Sequence, residues 1–188
     1  MPASLVRARG FTLVELLVVL MIVGIAIAMA SLSVGGRDNA TLAEEEAEQF
    51  MVSARFVSEQ TVLNREVIGL FWQPRADSGA TGQRWCYQWR RYRDQRWEEV
   101  TDFMEERCLP PELQLEVRVE GEEWEYDPRE TTPQPVLAFY PSGEATPYEM
   151  AIIPGRFDEG ETQRIEITMM ADLIWVNRER EEELQDEW

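Results

Sequence analysis

The sequence predicts an α+β chain, one long N-terminal helix packed on an antiparallel β-sheet or β-sandwich. Three observations carry this. An unbroken apolar run of twenty residues, Phe11 to Ala30, holds a single charge, Glu15. A helical stripe of small and apolar residues follows, from Ala43 to Thr61. Beyond Asn64 the period switches to two, in short runs rich in aromatic and β-branched residues, separated by turn residues.

As a helix, the first run is roughly 30 Å long at 1.5 Å per residue, enough to cross a bilayer. Arg7 and Arg9 precede it and Glu44, Glu45, Glu46 and Glu48 follow after a gap, so the N-terminus is expected on the cytoplasmic side. Three readings compete. A cleaved secretory signal would use Ala28-Met29-Ala30, but its apolar region is usually about 7–15 residues and carries no acid. An uncut signal anchor fits the length yet leaves Glu15 unexplained, because an acid costs on the order of 2.5–3.5 kcal/mol at a membrane helix centre and less near its end.

The third reading accounts for the glutamate. Gly10-Phe11-Thr12-Leu13-Val14-Glu15 resembles the processing site of type IV pilin-like proteins. That resemblance implies a prepilin peptidase that removes residues 1–10 by cutting between Gly10 and Phe11, and then N-methylation of Phe11. The transmembrane helix, 11–30, stays attached. The new ammonium at Phe11 can then partner the Glu15 carboxylate of a neighbouring subunit inside an apolar bundle, which makes Glu15 an assembly contact.

Composition narrows the rest. Of 188 residues, those beyond the leader and apolar helix suit one globular domain. A formal net charge of −18 repels DNA and anionic headgroups. There is no histidine, which removes the commonest general base and metal ligand, and all 18 basic residues are arginine. No acidic spacing matches a calcium loop, so no metal and no cofactor is expected. Without histidine a hydrolase would need paired carboxylates or an unassisted thiol, and the acidic runs read as solvated faces, so no catalysis is expected. Outside the cytoplasm the two cysteines, Cys86 and Cys108, fit one disulfide, worth about 3 kcal/mol in the chain-entropy model; two buried free thiols are the alternative.

Taken in order, Ser31 to Gly36 ends in a glycine pair that marks a kink or break. Thr41 and Glu44 stand at capping-box spacing and predict a second helical segment, within an N-terminal helix extending over 31–66. Ala43, Ala47, Phe50, Ala54, Val57 and Thr61 draw its narrow core stripe. Strands are then expected over Val67–Trp72, stopping at Pro74, over Trp85–Arg90, and over Trp97–Thr101 after a turn at Arg93-Asp94-Gln95. Leu113–Glu120 alternates most clearly, and Glu122–Gln134 reads as an exposed acidic connection. Val136–Tyr140, Tyr148–Ile153, Ile165–Met169 and Leu173–Val176 complete a β-rich domain over 67–176. The tail 177–188 holds six acids and two arginines and reads as solvated or frayed.

Within the pilin-like proteins, the layout resembles the H-type minor pseudopilin of the type II secretion system. Besides the leader and helix, the resemblance rests on Ser53–Gln60 running into Val67-Ile68-Gly69-Leu70, and on Phe139 to Pro147 around Pro141-Ser142-Gly143. It implies a structural subunit of the pseudopilus tip that helps folded exoproteins cross the outer membrane. Its partners would be other minor pseudopilins, the major pseudopilin, the inner-membrane secretion platform and the prepilin peptidase. Its place would be the inner membrane, single-pass, with the N-terminus cytoplasmic and the C-terminal domain periplasmic. The rival is a minor type IV pilin that takes up DNA through Arg84–Trp97, where five arginines and five aromatics meet one acid, Asp94. A buried face of Trp85, Tyr87 and Trp89, with arginines answering an acidic surface, explains the same stretch and agrees with the overall charge.

Overall fold

The computed structural model describes residues 13–33, 38–76, 83–100, 104–155 and 160–186, with the backbone alone at 25–33, 181 and 183–186. The chain divides into two units, Met1–Arg37 and Asp38–Trp188. The first contains α1, Leu13–Ser33. Side chains of α1 are described as far as Gly24, and no helix among the described residues is long and apolar enough to cross a membrane. The predicted break at Gly35-Gly36 lies outside the described residues.

In the second unit, α2 spans Asn39–Asn64. It starts before the expected capping box, because Asp38 caps it: the Asp38 carboxylate accepts from the Ala40 N–H at 3.4 Å. Thr41 therefore lies inside the first turn. At the other end Arg65 adopts a left-handed conformation, φ 55°, and its N–H returns to the Thr61 carbonyl. The stripe Ala43, Ala47, Phe50, Ala54, Val57 and Thr61 is the buried face. Four of these six residues are small, which lets the helix approach sheets on two sides.

The first sheet holds β1 (Val67–Ala76), β2 (Gln83–Arg93), β3 (Arg96–Glu99), β4 (Arg107–Cys108) and β7 (Leu137–Phe139), in the order β3-β2-β1-β7 with β4 beside β2. The second holds β5 (Gln114–Val119), β6 (Glu122–Glu123), β8 (Tyr148–Ile153), β9 (Gln163–Ile167) and β10 (Leu173–Trp175), in the order β10-β9-β8-β5-β6. All pairings are antiparallel. α2 packs on β1 and β7 of one sheet and on β8, β9 and β10 of the other, so the helix shares one core with both. Phe50 sits at the junction. Its ring centroid is 5.7 Å from Tyr87 and 6.4 Å from Trp89 in the first sheet, and 6.2 Å from Tyr148 in the second. The Trp72 indole N–H donates to the Tyr148 hydroxyl at 3.0 Å and ties the sheets together.

Three expectations need correction. β1 does not stop at Pro74. The Leu70 carbonyl accepts from the Val136 N–H at 2.9 Å, so even-numbered residues of β1 turn their backbone groups toward β7. Pro74 shares that parity and lies past the β7 pairing, which covers Ile68 to Leu70, so it removes no ladder bond. Second, the acidic connection begins with a strand. Glu120 and Gly121, both at positive φ, form a two-residue turn that folds β6 back on β5, and the Asp94-Gln95 turn joins β2 to β3 the same way.

Third, the tail is not frayed coil at its start. α3 spans Val176–Asp186 and belongs to the same unit as α2 and the strands. The Asn177 side chain accepts from the Arg164 N–H at 2.8 Å and donates to the Thr162 carbonyl at 3.0 Å. Arg178 lies 3.9 Å over the Trp175 ring and 3.5 Å from Glu48 on α2. Glutamate and arginine are good helix formers, so once the first turn is pinned the rest can follow.

The buried tyrosines give a pH prediction. Burial pushes the Tyr87 hydroxyl up to about 12 and also raises that of Tyr148. Both stay protonated in the fold at pH values where the unfolded chain has begun to ionise. Their contribution to stability is therefore complete below about pH 10 and falls as pH rises toward about 12, because the unfolded state then binds fewer protons. Denaturant midpoints measured from about pH 9 to about pH 11 should decline, and a Tyr87→Phe variant should flatten part of that decline.

Candidate assembly interface

Gly10 and Phe11, the expected cleavage and methylation positions, lie outside the described residues. Glu15 falls in the first turn of α1, where a negative charge favours the helix dipole. Every side chain from Leu16 to Val23 is apolar and between 46% and 68% exposed. Eight consecutive exposed residues point in all directions around a helix with 3.6 residues per turn. Such a helix has no polar face to give to water, and it needs lipid or other apolar helices around it. α1 thus places one carboxylate, Glu15, at the head of an apolar stretch among the described residues.

The sequence reading misses a second surface. Val52, Phe56 and Leu63 stand on α2 at steps of four and seven, away from the core stripe, and all are exposed. Met51, Val52 and Phe56 face Leu173 and Trp175 across a groove of about 490 Å³ whose rim carries Glu48 and Arg178. The stripe is visible in the sequence as spacing. The groove is not, because it depends on α3 docking beside α2.

The Arg84–Trp97 stretch becomes β2, its turn and the start of β3. Tyr87 and Trp89 are buried in the core, and Trp85 is half-buried at its edge. Among the described residues, four of the five arginines have partners; the fifth, Arg84, buries its Nε without a hydrogen-bond partner. Arg91 and Arg93 both pair with Glu66, Arg96 with Glu98, and Arg90 bonds the Gln88 side chain while lying 4.7 Å over Phe71. A buried aromatic face is thus flanked by three arginines that answer acids.

Cys86 and Cys108 form a disulfide, placed directly opposite each other in the β2–β4 ladder. Their sulfurs and the Glu106 carboxylate come within 4.8 Å of one another. Glu106 is itself engaged, accepting from Gln73 at 2.6 Å and Arg75 at 2.8 Å, and the bonded sulfurs are not thiolates, so this cluster is no metal centre. Next to Cys108, Arg107 forms a two-bond pair with Glu46 of α2 at 2.9 and 3.0 Å, and that hydrogen bonding raises the Arg107 pKa. The β4 segment is thus fastened to β2 covalently and to α2 by charge.

Residues 5–31 match the prokaryotic N-terminal methylation motif. The chain is 26% identical over 189 residues to the type II secretion system protein H of Aeromonas hydrophila, covering 94% of this chain and 98% of that protein. It is 26% identical over 152 residues to type II secretion system protein H of Pseudomonas aeruginosa, covering 77% and 83%. Two structures of the minor pseudopilin EpsH from the type II secretion system of Vibrio cholerae share the fold. One has a TM-score of 0.53 at 23% identity, covering 71% of this chain and 94% of that one. The other has a TM-score of 0.55 at 20% identity, covering 72% and 96%.

Proposed function

We propose that this chain is an H-type minor pseudopilin of a type II secretion system, a structural subunit of the pseudopilus tip that helps export folded exoproteins across the outer membrane. The observation that carries the reading is similarity to protein H along nearly its whole length, in a chain that also bears a methylation motif and an all-round apolar α1. Arg7 and Arg9 hold the N-terminus on the cytoplasmic side, 11–30 crosses the inner membrane, and the unit from Asp38 onward lies in the periplasm. Peptidase cleavage after Gly10 and methylation of Phe11 prepare the subunit for assembly. Glu15 then meets the Phe11 ammonium of a neighbour, within contacts to the other minor pseudopilins, the major pseudopilin and the inner-membrane platform. The chain builds the apparatus and performs no chemistry of its own.

The arginine pairings in β2 and β3 weigh against DNA uptake, because three of the five cations it would use, Arg91, Arg93 and Arg96, already answer Glu66 and Glu98. A deletion strain separates the two roles. It should lose exoprotein secretion and keep natural transformation, with secretion restored by the full chain. Normal secretion with lost transformation would overturn the reading.

A further inference from the structure

At the open end of the two sheets, Trp85 of β2 meets Trp124 and Tyr126, which follow β6. The Trp124 backbone N–H donates to the Val117 carbonyl at 2.9 Å, which fixes this segment against β5. The three rings form a triangle with centroid separations of 6.0, 6.2 and 6.4 Å, and their planes cross steeply at 60°, 80° and 65°. They line a cavity of about 430 Å³ together with the carboxylates Glu116, Glu123 and Glu125. Among the described residues, no arginine lines it. Elsewhere this chain covers aromatic faces with its own cations, Arg90 on Phe71 and Arg178 on Trp175. The trio has no such cover among the described residues.

We infer that the Trp85–Trp124–Tyr126 cavity is a binding site for a single organic cation, either the guanidinium or ammonium tip of a partner's side chain or a free alkylammonium. A cation seated over the triangle would stand about 5 Å from all three centroids, inside the reach of about 6 Å for cation–π attraction. Steeply crossed rings can turn their faces toward one guest together, which parallel stacked rings cannot do. The three glutamates supply negative potential at the rim, so a neutral guest of the same shape is disfavoured relative to a charged one.

The test uses the full chain in detergent micelles and follows the indole N–H signals of Trp85 and Trp124, assigned by Trp→Phe replacement. Three probes are titrated: choline, its neutral analogue with tert-butyl in place of trimethylammonium, and arginine blocked at both ends. At least one cation should shift both indole signals and bind about tenfold more tightly than the neutral analogue. Binding by blocked arginine identifies a partner side chain as the source; binding by choline alone identifies a free alkylammonium. Trp124→Ala should abolish the shift at Trp85. Should that variant fail to fold, Tyr126→Leu and Glu125→Gln, both at exposed positions, should each weaken cation binding. Equal binding of the neutral analogue, or no response to either cation, would overturn the assignment.

Discussion

Replacing Phe50 with alanine is expected to destabilise the unit Asp38–Trp188 by about 3–5 kcal/mol. Phe50 is 1% exposed, and its ring touches aromatic residues of both sheets. Removing it leaves a cavity where α2, the first sheet and the second sheet meet, and the rigid rings of Tyr87, Trp89 and Tyr148 cannot collapse into the space. For a domain of this size the loss corresponds to a melting temperature lower by on the order of 10 °C. It is also a large share of a typical total stability of about 5–15 kcal/mol. Thermal melts of the full chain check this. Phe50→Leu should lose clearly less, because it keeps most of the volume. A change below about 1 kcal/mol for Phe50→Ala would mean that α2 does not bridge the two sheets as described.

Exchanging Glu15 for alanine should have the opposite profile, with stability unchanged and assembly lost. Removing a carboxylate from an apolar helix makes membrane insertion easier by up to about 3 kcal/mol, so insertion cannot be what fails. Cleavage between Gly10 and Phe11 is expected to continue. On the proposed assembly, the variant lacks the carboxylate that would pair with a neighbour's Phe11 ammonium, and leaving such a charge buried without a partner typically costs about 3–5 kcal/mol. Crosslinking to the other pseudopilins should therefore fall to background, and secretion with it, while the amount of processed protein stays near wild type. Normal crosslinking by Glu15→Ala would contradict the paired-charge account.

Particular residues show what could be read in advance. The α2 stripe is legible because Ala43, Ala47, Phe50, Ala54, Val57 and Thr61 repeat at steps of three and four, a local signal that burial obeys. Tyr148–Ile153 is legible as a short, mostly apolar run bounded by turn residues, and β8 has those bounds. Pro74 misleads because its effect depends on the direction its backbone faces, which is set by a partner strand more than sixty residues away. The tail misleads because charge alone suggests solvation, whereas Asn177 and Arg178 find specific partners on β9, β10 and α2. On the site, the methylation motif and Glu15 stand out in the sequence because enzymes and helices read them locally. The Val52–Leu173 groove and the Trp85–Trp124–Tyr126 triangle are tertiary, and spacing does not reveal them.

Processing as a prepilin-type subunit, the step that precedes assembly into a pseudopilus, is read from the intact mass of the membrane-extracted protein. The account predicts a chain that has lost Met1 to Gly10 and carries one added methyl on Phe11. With no lysine in the sequence, the N-terminal amine is the only primary or secondary aliphatic amine the chain offers. A mass beginning at Met1, or at Ser31 after signal-peptide cleavage, would contradict it.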